Sequence, residues 1–276
     1  MDRIPAIPLS LQDIPRKAQE MVGKMSISGM QPKLSLKLNK QRAELIPAAS
    51  EGEYILKPQI QQFPHIPENE NCCMDIAFEL NLDVPPHCLV PLKDGSLAYV
   101  VKRFDRRDGE KIHQEDFYQI LEKKDKYGGS LEEIGKKLKE ISAVPGLDVQ
   151  FFFERVVFGF LTGNGDGHFK NYSISYHEQN RIRLSPAYDM VCTKLVIPGE
   201  EDSALTLNGK KNKLKRDDFD ALAGYLKIPV KVRYEKFAGK GSLMKQLIAV
   251  SKLPGDDQKR FIEIVQLRYK RLEINS

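Results

Sequence analysis

The chain is poor in the features that mark secreted, membrane-bound and metal-stapled proteins. Its 276 residues include four cysteines, Cys72, Cys73, Cys88 and Cys192, and no CxxC pair. Adjacent Cys72 and Cys73 make a poor disulfide or zinc signature, so the thiols read as reduced and mostly buried. The longest apolar runs fall far short of the ~20 residues that a helix needs to cross a bilayer. The opening stretch, MDRIPAIPLSLQDIPRKAQE, has no apolar core and no small-residue cleavage site, which argues against a signal peptide. Together these absences point to a cytoplasmic chain with no membrane partner. Acidic ligands at EF-hand spacing are missing as well. Neither charge sign dominates: 43 Lys and Arg face 38 Asp and Glu, a net charge of +5. That is weak evidence for nucleic acid. The densest basic cluster, Lys210 to Arg216, reads first as a solvated loop and second as a contact for an acidic partner.

What is present is a foldable pattern. The chain is 41% hydrophobic and 29% charged, enough to bury a core in one large domain or two lobes sharing a cleft. A short helix is expected within 11–22. Short alternating segments at 33–38, 42–47 and 54–58 read as strands. Residues 67–82 read as a helix with Pro67 in its first turn and Met74, Ile76, Ala77 and Leu80 on one face. Two more strands, 87–92 and 97–104, flank an Asp94-Gly95 turn. Beyond that, helices dominate: 114–124 and 130–142 are amphipathic, and 148–163 is apolar nearly all round, as a buried helix should be. The stretches 171–176 and 181–190 read as a strand pair, and 215–276 returns to helices. The expectation is an α+β, bilobal chain, with a small β-rich N-lobe (1–104) and a larger helical C-lobe (105–276).

The chemistry concentrates in FLTGNGDGHFKNYSISY, residues 160–176. Asp166 and Asn171 have four residues between them, the D-x-x-x-x-N spacing of a protein-kinase catalytic loop. A carboxylate there accepts a hydroxyl proton, and an amide oxygen suits a hard cation. Glycines at 163, 165 and 167 let the backbone turn after the buried helix. Alone, the spacing is weak, and Asn-Gly and Asp-Gly are also plain turn dipeptides. Order strengthens it. Lys57 lies on a strand of the N-lobe, and the helix near 67 offers an acidic partner, Glu70 first and Glu68 second. Asp189 follows the hairpin after Asn171, where kinases place a second metal-binding Asp. A hinge is expected in VVKRFDR, 100–106. The loop KMSISGMQPK (24–33) is too poor in glycine for a P-loop, yet in this order it becomes a candidate lid over ATP phosphates.

GNGDGHFKNYSI, AYDM, VVKRFDR with HQEDF soon after, and SISGMQPKLSL together resemble the HipA family of bacterial serine/threonine kinase toxins, over about 20–195. The resemblance implies a HipA-like kinase fold that uses ATP and Mg²⁺. It makes Asp166 the catalytic base, Lys57 the phosphate contact, and Asn171 and Asp189 the metal ligands. His168 and Lys170 would line the catalytic loop. The hinge residues Lys102, Arg103 and Phe104 would border the adenine, Lys102 and Phe104 through backbone groups. Ser28, Gly29, Met30, Gln31, Pro32 and Lys33 would form the phosphate loop. Inactivating autophosphorylation would map onto Ser26, with Ser28 as second candidate. The implied substrate is a protein, an aminoacyl-tRNA synthetase by family habit. The implied partners are antitoxins: a HipB-like helix-turn-helix protein, through which alone DNA is reached, and a HipS-like small protein. The last is implied because the chain begins shortly before the phosphate loop, as in the compact HipT branch. Two rivals stand beside this reading. One is a small-molecule kinase of similar fold, and the other a non-catalytic co-repressor acting through 210–216.

Overall fold

The computed structural model describes residues 6–20, 32–107, 109–197 and 199–275. Its chain divides into two compact units, Met1–Asn71 with Pro85–Lys111, and Cys72–Val84 with Ile112–Ser276.

In the first unit, helix α1 (Asp13–Glu20) precedes strands β1 (Leu34–Asn39), β2 (Glu44–Pro47) and β3 (Tyr54–Pro58). Helix α2 (Ile66–Glu79) follows, its first turns in this unit and the remainder in the second. Strands β4 (His87–Pro91) and β5 (Leu97–Lys102) complete a five-stranded sheet of order β2-β1-β3-β5-β4. Every neighbouring pair in it is antiparallel. Alternation along a strand sends successive side chains to opposite faces. Thus Leu34, Leu36, Leu56, Ala98 and Val100 join Ile7, Leu9 and Ile14 in one core. Lys57, one residue after Leu56, belongs to the other face, with Tyr99 as its cross-strand partner. The β4–β5 turn is set by Asp94, whose carboxylate accepts from Ser96 N, Ser96 Oγ and Leu11 N. A small ladder of β6 (Arg106–Arg107) and β7 (Glu110–Lys111) ends the unit.

In the second unit, β8 (Gln114–Asp116), β9 (Ser173–His177) and β10 (Arg181–Leu184) form a sheet of order β10-β9-β8. Around it stand α3 (Phe117–Ile120), α4 (Leu131–Ile141), α5 (Pro145–Thr162), α6 (Arg216–Leu226), α7 (Gly241–Val250) and α8 (Gly255–Leu272). The stretch 114–124, expected as one helix, divides. Asp116 accepts from Gln119 N and starts α3 through a capping box, while the three residues before α3 pair with β9. A cap placed inside the amphipathic pattern overrides the periodicity. The strand expected over 181–190 stops at Leu184. Pro186 has no N–H to donate to a ladder, and Ala187 N turns to Asp83 O at 2.7 Å.

Helix α5 is the pillar of this unit. Pro145 sits in its first turn, and Gly163 caps its end in the left-handed conformation. Val149, Phe152, Phe153, Val157, Phe158 and Leu161 are fully or nearly fully buried. Its one acidic first-turn residue, Asp148, is buried too, and accepts from the Arg183 guanidinium, Leu184 N and Ser142 Oγ. Asp202 ties α8 in place through Arg268 at 2.7 Å and Arg271 at 2.6 Å. Cys72, Cys73 and Cys192 are buried and Cys88 is half-buried, all as free thiols.

Candidate active site

Lys57 is buried, not the exposed strand lysine that its residue type alone suggests. Its Nζ donates to Glu70 Oε1 at 2.5 Å, with the two side chains 6% and 3% exposed. The ammonium also lies 5.6 Å from the centroid of the Tyr99 ring. Glu70, on the second turn of α2, makes this pair, whereas Glu68 lies 3.9 Å from His65 Nδ1. Strand alternation and helix phase together bring the two charges into one dry place. Such a pair is a poor device for stability, because desolvation offsets most of the attraction.

The catalytic-loop candidates of the second unit lie between α5 and β9. Gly163 turns the chain out of α5, and Gly165 lets it pass close to the 200–201 backbone, where a Cβ would stand 2.6 Å from Glu201 O. Gly165 N donates to Thr193 Oγ1 at 2.8 Å, and that hydroxyl in turn donates to Glu200. Asp166 is half-buried; its own N–H donates to Asn164 Oδ1. Asn171 closes the loop, because its Oδ1 accepts from His168 N at 3.0 Å. The side chain is thereby fixed with an oxygen lone pair left over. Burial lowers the His168 pKa, against the opposing pull of Asp166 and, more weakly, Asp189. Both carboxylates are thus close enough to the imidazole to act on it. Lys170 is half-buried, its Nζ 4.6 Å from the Tyr118 ring and its carbonyl accepting from Tyr188 Oη. Asp189 adopts a left-handed backbone with φ 54, a conformation that non-glycine residues hold chiefly where surroundings demand it.

Three further groups here belong to no motif of the sequence. Tyr127 Oη donates to Asp166 Oδ1 at 3.0 Å. Burial first, and Asp166 second, push the Tyr127 phenol up to about 12. Thr193 and Glu200 brace Gly165 from behind, and burial raises the Glu200 pKa. In the expected hinge, Arg103 N extends the β3–β5 ladder to Glu53 O, and its guanidinium forks onto Asp105 at 2.8 and 2.6 Å. Lys102 is exposed and Phe104 half-buried. Pro32 is exposed and Lys33 half-buried, just ahead of β1. Ser26, Ser28, Gly29, Met30 and Gln31 lie outside the described residues. The basic cluster is partly committed inward: Lys210 pairs with buried Asp218 at 2.7 Å, and Arg216 donates to Leu272 O and Glu273 O.

Among the described residues no helix is long and apolar enough to cross a membrane. The family model of the HipA-like C-terminal domain matches residues 25–250. The chain belongs to that family. It is 35% identical over 202 residues to a putative kinase of Haemophilus influenzae, covering 68% of this chain and 58% of that protein. The chain spans about half the length of the curated relatives it matches. Its fold is that of HipA from Shewanella oneidensis, solved as a toxin–antitoxin complex with HipB and operator DNA: TM-score 0.75, 21% identity, 99% of this chain and 74% of that one. It is also similar to the Helicobacter pylori proinflammatory kinase CtkA, with a TM-score of 0.64, 16% identity and 91% of each chain covered. The kinase-like α+β fold expected from the sequence is therefore observed.

Proposed function

We propose that the chain is an ATP- and Mg²⁺-dependent serine/threonine protein kinase. The observation that carries the reading is the Lys57–Glu70 pair. A desolvated lysine held by a helix carboxylate is what phosphate positioning in a kinase requires, and it offers little as a stability device. Asp166 accepts the proton of the attacking hydroxyl. Lys57 contacts the nucleotide phosphates, with Ser28 to Lys33 as the loop over them. Lys102 to Phe104 border the adenine. Asn171 and Asp189 supply an amide oxygen and a carboxylate, hard donors of the type magnesium takes; the ion, when bound, neutralises charge on the transferring phosphoryl group. Most of the rate then comes from positioning and charge neutralisation.

The finer reading rests on kinship. A HipA-type toxin would phosphorylate a protein, an aminoacyl-tRNA synthetase, and arrest translation. A HipB-like repressor would link it to DNA, and a HipS-like protein would serve as a further antitoxin. Phosphate on Ser26 or Ser28 would add about two negative charges to the loop meant for ATP phosphates and so switch the enzyme off. The test is mass spectrometry of the chain after incubation with Mg·ATP, beside Asp166→Asn. Phosphate on Ser26 or Ser28 in the wild type alone is expected. Equal turnover in Asp166→Asn would sink the kinase assignment. Transfer to metabolites but to no lysate protein would favour a small-molecule kinase.

A further inference from the structure

The segment Asp125 to Gly129 lies against the catalytic loop and reaches its central carboxylate through Tyr127. It is fastened at each of its middle residues. Tyr127 N donates to Asp125 Oδ1 at 3.0 Å, and Gly128 N to Asp125 O at 3.3 Å. Lys126 O accepts from Phe169 N at 3.3 Å, which joins the segment to the short helix that carries Asn171. Tyr127 O accepts from Lys211 Nζ at 3.1 Å. The Tyr127 ring meets the His168 ring edge-on, centroids 5.4 Å apart, and Lys126 Nζ lies 4.6 Å from its centroid on the ring face. Gly129 O accepts from Thr206 N and Oγ1. A side chain at 129 would put its Cβ 2.6 Å from Phe169 Cζ, so only glycine lets the strap lie this close.

Resting on the kinase reading above, we propose that Tyr127 is a positioning residue for the catalytic base. Its hydroxyl, on this strap, holds the Asp166 carboxylate in the orientation that receives the substrate proton. One carboxylate oxygen takes the phenol hydrogen bond, and the carboxylate is thereby fixed about its own axis. A blocking role, in which the phenol merely fills the place of the substrate hydroxyl, fits less well. A plug has to leave for each turnover, and this one is tied to Phe169, Lys211 and Thr206 through its own backbone and its neighbours'. Lys211, in the basic cluster, thereby anchors the residue that aims the base.

The test compares wild type, Tyr127→Phe and Asp166→Asn, following ADP release from Mg·ATP and phosphate transfer to the chain itself. Tyr127→Phe keeps the ring on His168 and removes only the hydrogen bond to a charged group. Its kcat should fall about 10- to 100-fold, with the KM for ATP unchanged, beside the modest drop in unfolding midpoint that any lost hydrogen bond brings. A purely structural tyrosine would shift the midpoint alone and leave that split unseen. Lys211→Met, which loosens the strap from outside the site, should lower kcat in the same direction by less. Tyr127→Phe turning over at the wild-type rate overturns the proposal. A faster rate, or phosphate found on Tyr127 itself, does so too, in favour of a plug or an acceptor. Asp166-independent ADP release in the wild type fells the kinase reading and this inference with it. Asp166-dependent release that ignores Tyr127 fells the inference alone.

Discussion

Glu70→Ala isolates what the Lys57–Glu70 pair does. At 2.5 Å and an effective dielectric near 20, the direct attraction is about 7 kcal/mol. Desolvating the two ions offsets most of that, several kcal/mol for each. The pair as a whole is therefore worth little, but either charge alone is expensive. Glu70→Ala removes the carboxylate that the Lys57 ammonium donates to and should destabilise the chain, by up to about 3–5 kcal/mol. Lys57→Met should be costly for the mirror reason. The double variant Lys57→Met/Glu70→Leu removes both ions and fills the space, so it should come within about 2 kcal/mol of the wild type. The assay is urea unfolding followed by circular dichroism, read as a double-mutant cycle with m held constant. The double variant should fold well and transfer no phosphate. If its cost equals the sum of the two single costs within about 0.5 kcal/mol, the charges are not coupled. Glu70 then does not hold the lysine for catalysis, and the kinase reading loses its main support.

Two further outcomes follow from burial and charge elsewhere. Burial acts to raise the Asp202 pKa, but its bonds to Arg271 and Arg268 outweigh that and hold it at about 2, against an ordinary 3.8. A depressed carboxylate stabilises the fold above its unfolded pKa. The contribution, about 2 kcal/mol, is therefore complete above about pH 4 and fades as pH falls towards 2. The gap in melting temperature between wild type and Asp202→Asn should shrink across that window; a gap independent of pH would contradict the assignment. Thiol titration supplies the other outcome. Burial pushes the Cys72 thiol up to about 12, and Cys73 and Cys192 are equally enclosed. In the native chain at pH 8 a disulfide reagent should find Cys88 first and the other three only after unfolding.

The parts of the site that can be read from sequence are those in which one element, or two with known periods, fix the geometry. Asp166 and Asn171 share one short loop, so their spacing carries their relation directly. Lys57 and Glu70 are 13 residues apart, but a strand's period of two and a helix entered at Pro67 still leave few ways for them to miss. The error over 114–124 has the opposite character. Gln114 Nε2 bonds Ser173 Oγ, 59 residues away, and β8 exists only because β9 is there to pair with it. Helical periodicity in the local sequence has no access to that partner, and the cap at Asp116 looks like one more polar residue on an amphipathic face.

Tyr127 marks the same limit in the candidate site itself. It reaches Asp166 across 39 residues and is held by Lys211 across 84. No period or motif links the three, and DKYGGS reads locally as a loop before a helix. Gly128-Gly129 looks like punctuation between α3 and α4 until Phe169 is seen against Gly129. A break that merely joined two helices would tolerate alanine at 129. One that must let a strap lie on the catalytic loop cannot, since the added methyl would overlap the Phe169 ring. The same glycine thus separates the two meanings of the loop. Where it stands in the chain is legible in the sequence, but what it makes room for is decided by the packing of α4, the catalytic loop and the 206–211 segment together.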